Sequence, residues 1–506
     1  MKPARFDLAR LRGLRSRLLS AVCAASVLGM AGCSIGPDYV RPSVVVPAAY
    51  KENAGTPDTS SGAISTRAGK LATAPAQATP GWTHATPADN EARGAWWTRF
   101  GDPQLNTLET RVSVSNQTIQ KAVAQLQEAR AMVESAHAAY LPTIGAGASA
   151  SSLHDSDNVI GHQQTAGKTF GDYDVALDAS WEPDLWGRIA HENDAARAGA
   201  QASAADLQSV RLGVHAELAV DYFNLRGLDA SKQLLDQTIA DYRQTLDLTK
   251  SRFAVGVSSQ ADVTQAETQL QATEAQDIDL GVARAQYEHA IATLTGVPAS
   301  TFSLPPAAAD FTPPTIPVGL PSELLQRRPD IAAAERRVAA ANDQIGIAES
   351  AFFPDLVLSA TGGIESSTLT NWLTAPSRMW AVGPALVGTL FDGGRRRAMT
   401  EKAQAQYDAS AADYRQTVLT AFQEVEDNLA SLRILQQEAS KQDEAVASAQ
   451  KTLQLELDQY RIGTVGYLEV VTAQSTALAN ERTAVDLERR QMDASVLLVK
   501  ALGGTW

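Results

Sequence analysis

The chain contains two long stretches that are free of proline and are copies of one another, and few folds can use such a pair. No proline interrupts it between Pro183 and Pro298, and none follows Pro384. Long helices require this, because proline removes a backbone donor and clashes with the preceding turn. Ala139-Tyr140-Leu141-Pro142 reappears as Ala351-Phe352-Phe353-Pro354, with Ile119 falling opposite Ile331 at the same offset of 212. Ala202-Ser203-Ala204-Ala205-Asp206 reappears as Ala409-Ser410-Ala411-Ala412-Asp413 at an offset of 207, which Gly256 and Gly463, Val263 and Val470, and Ala266 and Ala473 keep. A period this long marks a duplicated domain and no solenoid unit. The five residues lost between the two offsets are expected in a longer surface loop of copy one.

Each copy alternates helix and hairpin. Leu235, Ile239, Tyr242, Leu246, Thr249 and Phe253 step by four and three, a heptad seam that predicts coiled-coil packing. A helix from Asp194 to Phe253 would be about 90 Å long at 1.5 Å per residue. Gly256 and Gly463 mark reversals, after which 262–295 and 469–501 run back as partners. Along Asp172 to Glu182 the period changes to two. Tyr173, Val175, Leu177, Ala179 and Trp181 take one face, while Asp172, Asp174, Asp178, Ser180 and Glu182 take the other. This stretch has about the 9 to 11 residues that a membrane strand needs. Pro142 to Leu153 is its expected partner, and 356–364 and 380–391 hold the same places in copy two. Trp181, Trp186, Phe352, Phe353, Trp380 and Phe391 fall near strand ends, where an interfacial girdle would lie. A soluble sheet packed on helices is the competing reading.

Four strands cannot enclose a useful lumen, and open sheet edges are not tolerated in lipid. Three chains would supply twelve strands, a barrel between the side-chain-filled eight-stranded kind and the wide porins. The acids Asp172, Asp174, Asp178 and Glu182 would then face the lumen.

The N-terminus reads as an address. Lys2, Arg5, Arg10, Arg12, Arg15 and Arg17 precede an apolar run from Leu18 to Met30, a signal-peptide layout too short for a transmembrane helix. Met30-Ala31-Gly32-Cys33 resembles a bacterial lipobox, in which the signal is cut before the cysteine and its thiol takes a diacylglycerol. Ser34 points to sorting to the outer membrane. Losing residues 1–32 removes six positive charges and one negative, so the formal charge of -14 becomes -19. An acidic surface excludes a general nucleic-acid binder. Cys23 leaves with the signal, and no thiolate cluster remains for a metal. Residues 33–95, rich in Pro, Ala, Thr and Ser, read as an extended anchored segment. Residues 96–300 form repeat one with its hairpin near 142–182, 301–320 a Pro-rich linker, and 321–506 repeat two with its hairpin near 355–391.

Several words occur in a telling order. They are Gly36-Pro37-Asp38-Tyr39 after Cys33, Trp96-Trp97, Phe100-Gly101-Asp102-Pro103, and Trp186-Gly187-Arg188. Leu325-Gln326-Arg327-Arg328-Pro329-Asp330-Ile331, Phe391-Asp392-Gly393-Gly394 and Ala501-Leu502-Gly503-Gly504 follow. Together they make nearly the whole mature chain resemble outer-membrane efflux factors, the TolC-like channels, in their lipoprotein branch. The resemblance implies a mixed fold of all-α parts plus membrane β-structure. It also implies a homotrimer whose twelve-stranded antiparallel barrel, four strands per chain, is continued by a long α-helical coiled-coil barrel. It implies a passive outer-membrane duct of a Gram-negative bacterium, lipid-anchored and extending into the periplasm. The duct conducts drugs or other small toxic compounds received from a periplasmic adaptor and an inner-membrane pump of the resistance-nodulation-division type, with no cofactor. Gly256, Val257, Gly463, Thr464 and Val465 fall at the tips with which the family docks its adaptor, although both glycines could simply permit a turn. Leu468 falls where relatives place a constricting leucine. Thr472 stands where some carry a gate aspartate, which leaves Glu469 to supply an acidic ring.

Other readings remain. The duct could serve an aromatic-acid exporter of the fusaric-acid type, a metal exporter or a protein-secretion system, and a lipid-anchored periplasmic coiled-coil scaffold would explain the heptads alone. No enzyme is expected. Gly161 to Thr169 looks like a P-loop with one residue too many, in a hairpin loop where a phosphate cradle would have to open a helix. His154 and His162, near Asp155 and Asp157, have no metal-ligand spacing. Glu424, Glu426 and Asp427 read as a solvated or lumen face of a long helix.

Overall fold

The computed structural model describes residues 35–52, 94–158, 166–307 and 311–504. Cys33, the signal, most of the expected tether and much of the P-loop-like run lie outside them. Helices α1 (Pro103–Ser115) and α2 (Gln117–Ala138) lead into strands β1 (Thr143–His154) and β2 (Thr169–Trp181), and α3 (Arg188–Ala254) and α4 (Gln260–Leu294) complete the first copy. The short α5 (Leu324–Arg327), α6 (Pro329–Ser350), β3 (Asp355–Ser366), β4 (Arg378–Val387), α7 (Arg395–Ile462) and α8 (Tyr467–Ala501) repeat that order. At 67 and 68 residues, α3 and α7 are each about 100 Å long. The first begins six residues before the expected Asp194. Gly187, at φ 81°, turns the chain into it, and the Asp184 carboxylate accepts from the Ala190 N–H at 2.8 Å. The described residues form two compact units, one from 35–42, 127–158, 166–202 and 335–413, the other from 43–52, 94–126, 203–307, 311–334 and 414–504.

The first unit holds one antiparallel sheet in the order β1-β2-β3-β4. Its register sorts side chains by chemistry. Ile144, Val175, Leu177, Trp181, Leu358, Ile364, Trp380, Val382 and Leu386 share one face. Ser149, Asp174, Asp178, Thr361 and Glu365 share the other. A sheet packed on helices would bury the apolar face, yet Trp380 and Val382 are 79% and 72% exposed. β1 is exposed along its whole length. β4 ends at Val387, four residues before the expected Phe391, and the left-handed Gly393 and Gly394 turn the chain into α7. Only part of copy one's surplus is loop. Residues 155–168 outrun 367–377, and β2 is also longer than β4.

The second unit is helical. One core gathers Leu105, Val112, Ile119, Leu218, Phe223, Ile291 and Val499. Another gathers Ile239, Tyr242, Leu246, Val263, Leu270, Tyr460 and Val470. The heptad seam is buried from Leu235 to Thr249, but Phe253, in the last turn before the reversal, is exposed. Arg328 is buried where α8 ends. Its guanidinium donates to both Asp330 oxygens at 3.0 and 2.5 Å, to Glu424 at 2.6 Å and to the Ala501 carbonyl at 3.1 Å. Glu424, its side chain 41% exposed, thus pairs with a buried cation while keeping contact with solvent.

Candidate functional site

Both helical reversals close in the same way. Gly256 and Gly463 adopt φ 77° and 86°, in the left-handed region that glycine enters without a Cβ penalty. The amides of Gly256 and Val257 donate to the Phe253 and Arg252 carbonyls at 2.9 Å. Those of Gly463 and Thr464 repeat the pattern onto Tyr460 and Gln459 at 3.0 Å, so both are Schellman ends. Ser259 then caps α4 in a reciprocal box with Asp262. Among the described residues no atom would meet a Cβ at Gly256 within 4 Å. Its backbone conformation, and no crowding, therefore selects the glycine. Val255, Val257 and Ile462 stand exposed around the two turns.

One side chain ties the reversals together. Arg252, in the last turn of α3, donates to the Tyr460 and Arg461 carbonyls at 2.8 and 3.2 Å, and its guanidinium lies 4.7 Å from the Tyr460 ring centroid. It therefore caps the C-terminal carbonyls of α7 from a neighbouring helix. The Tyr460 hydroxyl donates to Thr249 Oγ1 at 3.1 Å and lies 3.3 Å from Ser258 Oγ. Just beyond, Leu468 and Thr472 share an exposed stripe of α8 while Val470, Val471 and Gln474 turn inward. Glu469 sits in the first turn of α8, its carboxylate close to Gly466, where a helix N-terminus favours a negative charge.

On the sheet's polar face, the Thr361 hydroxyl donates to Asp178 at 2.7 Å, and Asp174 stands directly opposite Glu365. Glu365 escaped the sequence reading. Glu182 is a correction: it lies beyond β2 and pairs with Arg188 at 2.8 Å, so it anchors the start of α3. We expect neutralising Asp174 and Glu365 together, as Asn and Gln, to lower the cation-to-anion permeability ratio roughly twofold or more, because rings of carboxylates bias a pore toward cations. Reversal potentials across a salt gradient measure this. Anion selectivity in the wild type would remove the claim.

Residues 35–41, which include the Gly36-Pro37-Asp38-Tyr39 word, are seated on distant parts of the chain that no sequence pattern indicates. The Ile35 amide donates to the Trp186 carbonyl at 3.1 Å, and His191 bridges the Ile35 carbonyl (3.0 Å) and Asp343 (2.9 Å). Asn342 donates to the Pro37 carbonyl at 2.8 Å, and the Tyr39 hydroxyl to Glu335 at 2.7 Å. A Cβ on Gly36 or Gly346 would lie under 3.0 Å from the His191 ring. The Gly36-Pro37-Asp38-Tyr39 word is thus a latch that seats the chain, beginning three residues after Cys33.

Ser113, His215 and Glu109 resemble a nucleophile–base–acid series, with Ser113 Oγ 3.4 Å from His215 Nε2 and Glu109 2.5 Å from His215 Nδ1. Burial governs this group instead. It raises Glu109 to about 9 and, with Arg211 as a further cause, lowers His215 to about 4. Glu109 is therefore a neutral acid donating to a neutral imidazole, which Trp97 covers in a stacked arrangement at 4.5 Å. Above about 4.5 the unfolded chain releases the Glu109 proton while the folded one keeps it, so stability falls as pH rises toward 9. Below about 6.5 the unfolded His215 gains a proton that the folded ring refuses, so stability falls again toward 4. Glu109→Gln is expected to raise the unfolding free energy at pH 8 by roughly 2 kcal/mol, and with it the unfolding temperature, with little gain at pH 5. Thermal scans at the two pH values check it, and equal gains would exclude a buried neutral acid.

Among the described residues no helix is long and apolar enough to cross a membrane. Residues 110–297 and 320–504 match the family model described as outer membrane efflux protein. The chain is 30% identical over 483 residues to the cation efflux system protein CusC of Escherichia coli O6:H1, covering 95% of this chain and 97% of that one. It is 29% identical over 487 residues to the toluene efflux pump outer membrane protein TtgF of Pseudomonas putida, covering 95% of each. It superposes on the solved outer-membrane channel OprN with a TM-score of 0.81 at 28% identity, covering 94% of this chain and all of that one.

Proposed function

The chain belongs to the outer membrane efflux protein family, and we propose that a trimer of it forms the passive exit duct through which drugs or other small toxic compounds leave the cell. Cargo arrives from a periplasmic adaptor and an inner-membrane pump of the resistance-nodulation-division type, which supplies the energy. The two-faced sheet carries this reading. A single chain offers an apolar face to lipid, an acidic face to a lumen and unpaired edges at β1 and β4, which closure with two further copies would satisfy. The tips around Gly256, Val257, Gly463, Thr464 and Val465 dock the adaptor, and Leu468 forms the constriction with Glu469 beside it. Crosslinking whole cells and purifying this protein should bring down an adaptor and a pump. Recovery of trimers with no adaptor would count against the duct.

Export of metal cations is the second reading. It is favoured by the similarity to a cation efflux protein and by the acidic strand face. The identity of the co-purified pump separates the two.

Cys33 carries the lipid anchor in this reading. Cys33→Ser should leave the signal uncleaved at this site and abolish labelling by radioactive palmitate. Undiminished labelling would place the acyl group elsewhere.

A further inference from the structure

Where β4 leaves the sheet, the chain changes character within a few residues. Leu390 and Phe391, in the link to α7, are 100% and 89% exposed, as suits groups at the boundary of a bilayer. Arg395-Arg396-Arg397 opens the helix that follows. Beside it lies a cavity of about 480 Å³, lined by the apolar Ile347, Ala348 and Met399, by the cations Arg395, Arg396 and Lys402, and by the Asp392 carboxylate.

These cations are not equivalent. Arg396 is neutralised by Asp392 at 2.7 Å and lies 5.3 Å from the Phe352 ring centroid. Arg397 pairs with Glu401 at 3.1 Å. Among the described residues neither Arg395 nor Lys402 has an ion-pair partner, and both are exposed. Seven residues apart, they share a helix face about two turns apart. Their long side chains can converge on one anion between them. The cations of the lining ask for a phosphate and its apolar side chains for hydrocarbon, and an amphiphile supplies both.

We propose that this cavity holds the phosphate and glycerol region of an anionic glycerophospholipid from the periplasmic leaflet of the outer membrane. The proposal rests on the outer-membrane placement of the sheet, since β4 leads into the helix whose far end carries a docking tip. Continuity with the lipid-facing side favours a membrane lipid over soluble cargo. Each cation facing an anionic leaflet adds about fivefold in affinity.

The test uses full-length trimers in detergent, offered dioleoylphosphatidylglycerol or dioleoylphosphatidylcholine and read by native mass spectrometry and thermal unfolding. Wild-type trimers should retain the anionic lipid preferentially and unfold at a higher temperature with it. Arg395→Gln combined with Lys402→Gln should cut that retention roughly twentyfold and leave retention of the zwitterionic lipid unchanged. The charge-preserving pair Arg395→Lys with Lys402→Arg should keep the preference. Equal retention of the two lipids by the wild type, an unchanged preference in the Gln pair, or displacement of the lipid by equimolar inorganic phosphate would each overturn the proposal. Wild-type trimers that fail to conduct in planar bilayers would strike the channel reading, whereas conducting trimers with no lipid preference would strike only this one.

Discussion

Trimers carrying Arg252→Ala are expected to show a resting conductance in planar bilayers several-fold above wild type. Arg252 makes two charge-assisted hydrogen bonds to the terminal carbonyls of α7 and stacks on Tyr460. A hydrogen bond to a charged donor contributes about 1.5–3 kcal/mol and a partly exposed cation–π contact about 0.5–1 kcal/mol. Two conformations of one protein differ by only a few kcal/mol. Losing this tie in each of three chains is therefore enough to move the balance toward separated tips. Arg252→Lys should restore the charge but neither the forked geometry nor the planar stacking, and so recover conductance only in part. Leu468→Ala tests the aperture separately, because Leu468 is exposed and holds nothing together. Its truncation should widen the pore without loosening the tips. An unchanged resting conductance in Leu468→Ala would sink the constriction, and the same result in Arg252→Ala would remove the tie from gating.

The second large effect concerns stability. Arg328→Ala should destabilise the helical unit by about 1.5–3 kcal/mol, since it removes the charge-assisted hydrogen bonds of a buried guanidinium, while Asp330 and Glu424, with side chains 32% and 41% exposed, stay solvated. Asp330 loses both bonds from the guanidinium and keeps only the one from the Ile331 amide, Glu424 loses its cation, and the Ala501 carbonyl at the end of α8 loses a donor. Denaturant unfolding of the purified protein measures the loss. A double-mutant cycle with Asp330→Ala should show strong coupling, because the residues form one network. Additive effects would mean that the network does not act as a unit.

Features that were legible in the sequence were local or periodic. The alternation from Asp172 to Trp181 marked a two-faced strand, and the glycines after the heptad seam marked the reversals that the structure shows. What stayed hidden joins distant residues. Glu365 joins the acidic face only through the register of β3 with β2, and Gly362 and Gly363 interrupt the alternation beside it. Glu182 kept the strand's parity but was diverted by Arg188, a competition that no periodicity records. His191 bridges Ile35 and Asp343 across 156 and 152 residues, so the need for a bare Gly36 and Gly346 is visible only in space. The role of Arg252 is invisible for the same reason, since the carbonyls it caps belong to the other copy.

The unpaired edges of β1 and β4 have a consequence for inheritance as well as for assembly. A chain that cannot satisfy its own strand edges in lipid has no stable inserted form of its own, so insertion, closure and association must be one concerted event. A defective copy with intact edges would still be recruited into rings with normal chains and would spoil them. Lesions in the tips should therefore behave as dominant alleles. Lesions that unravel the strand edges should be recessive, because such chains never enter a ring.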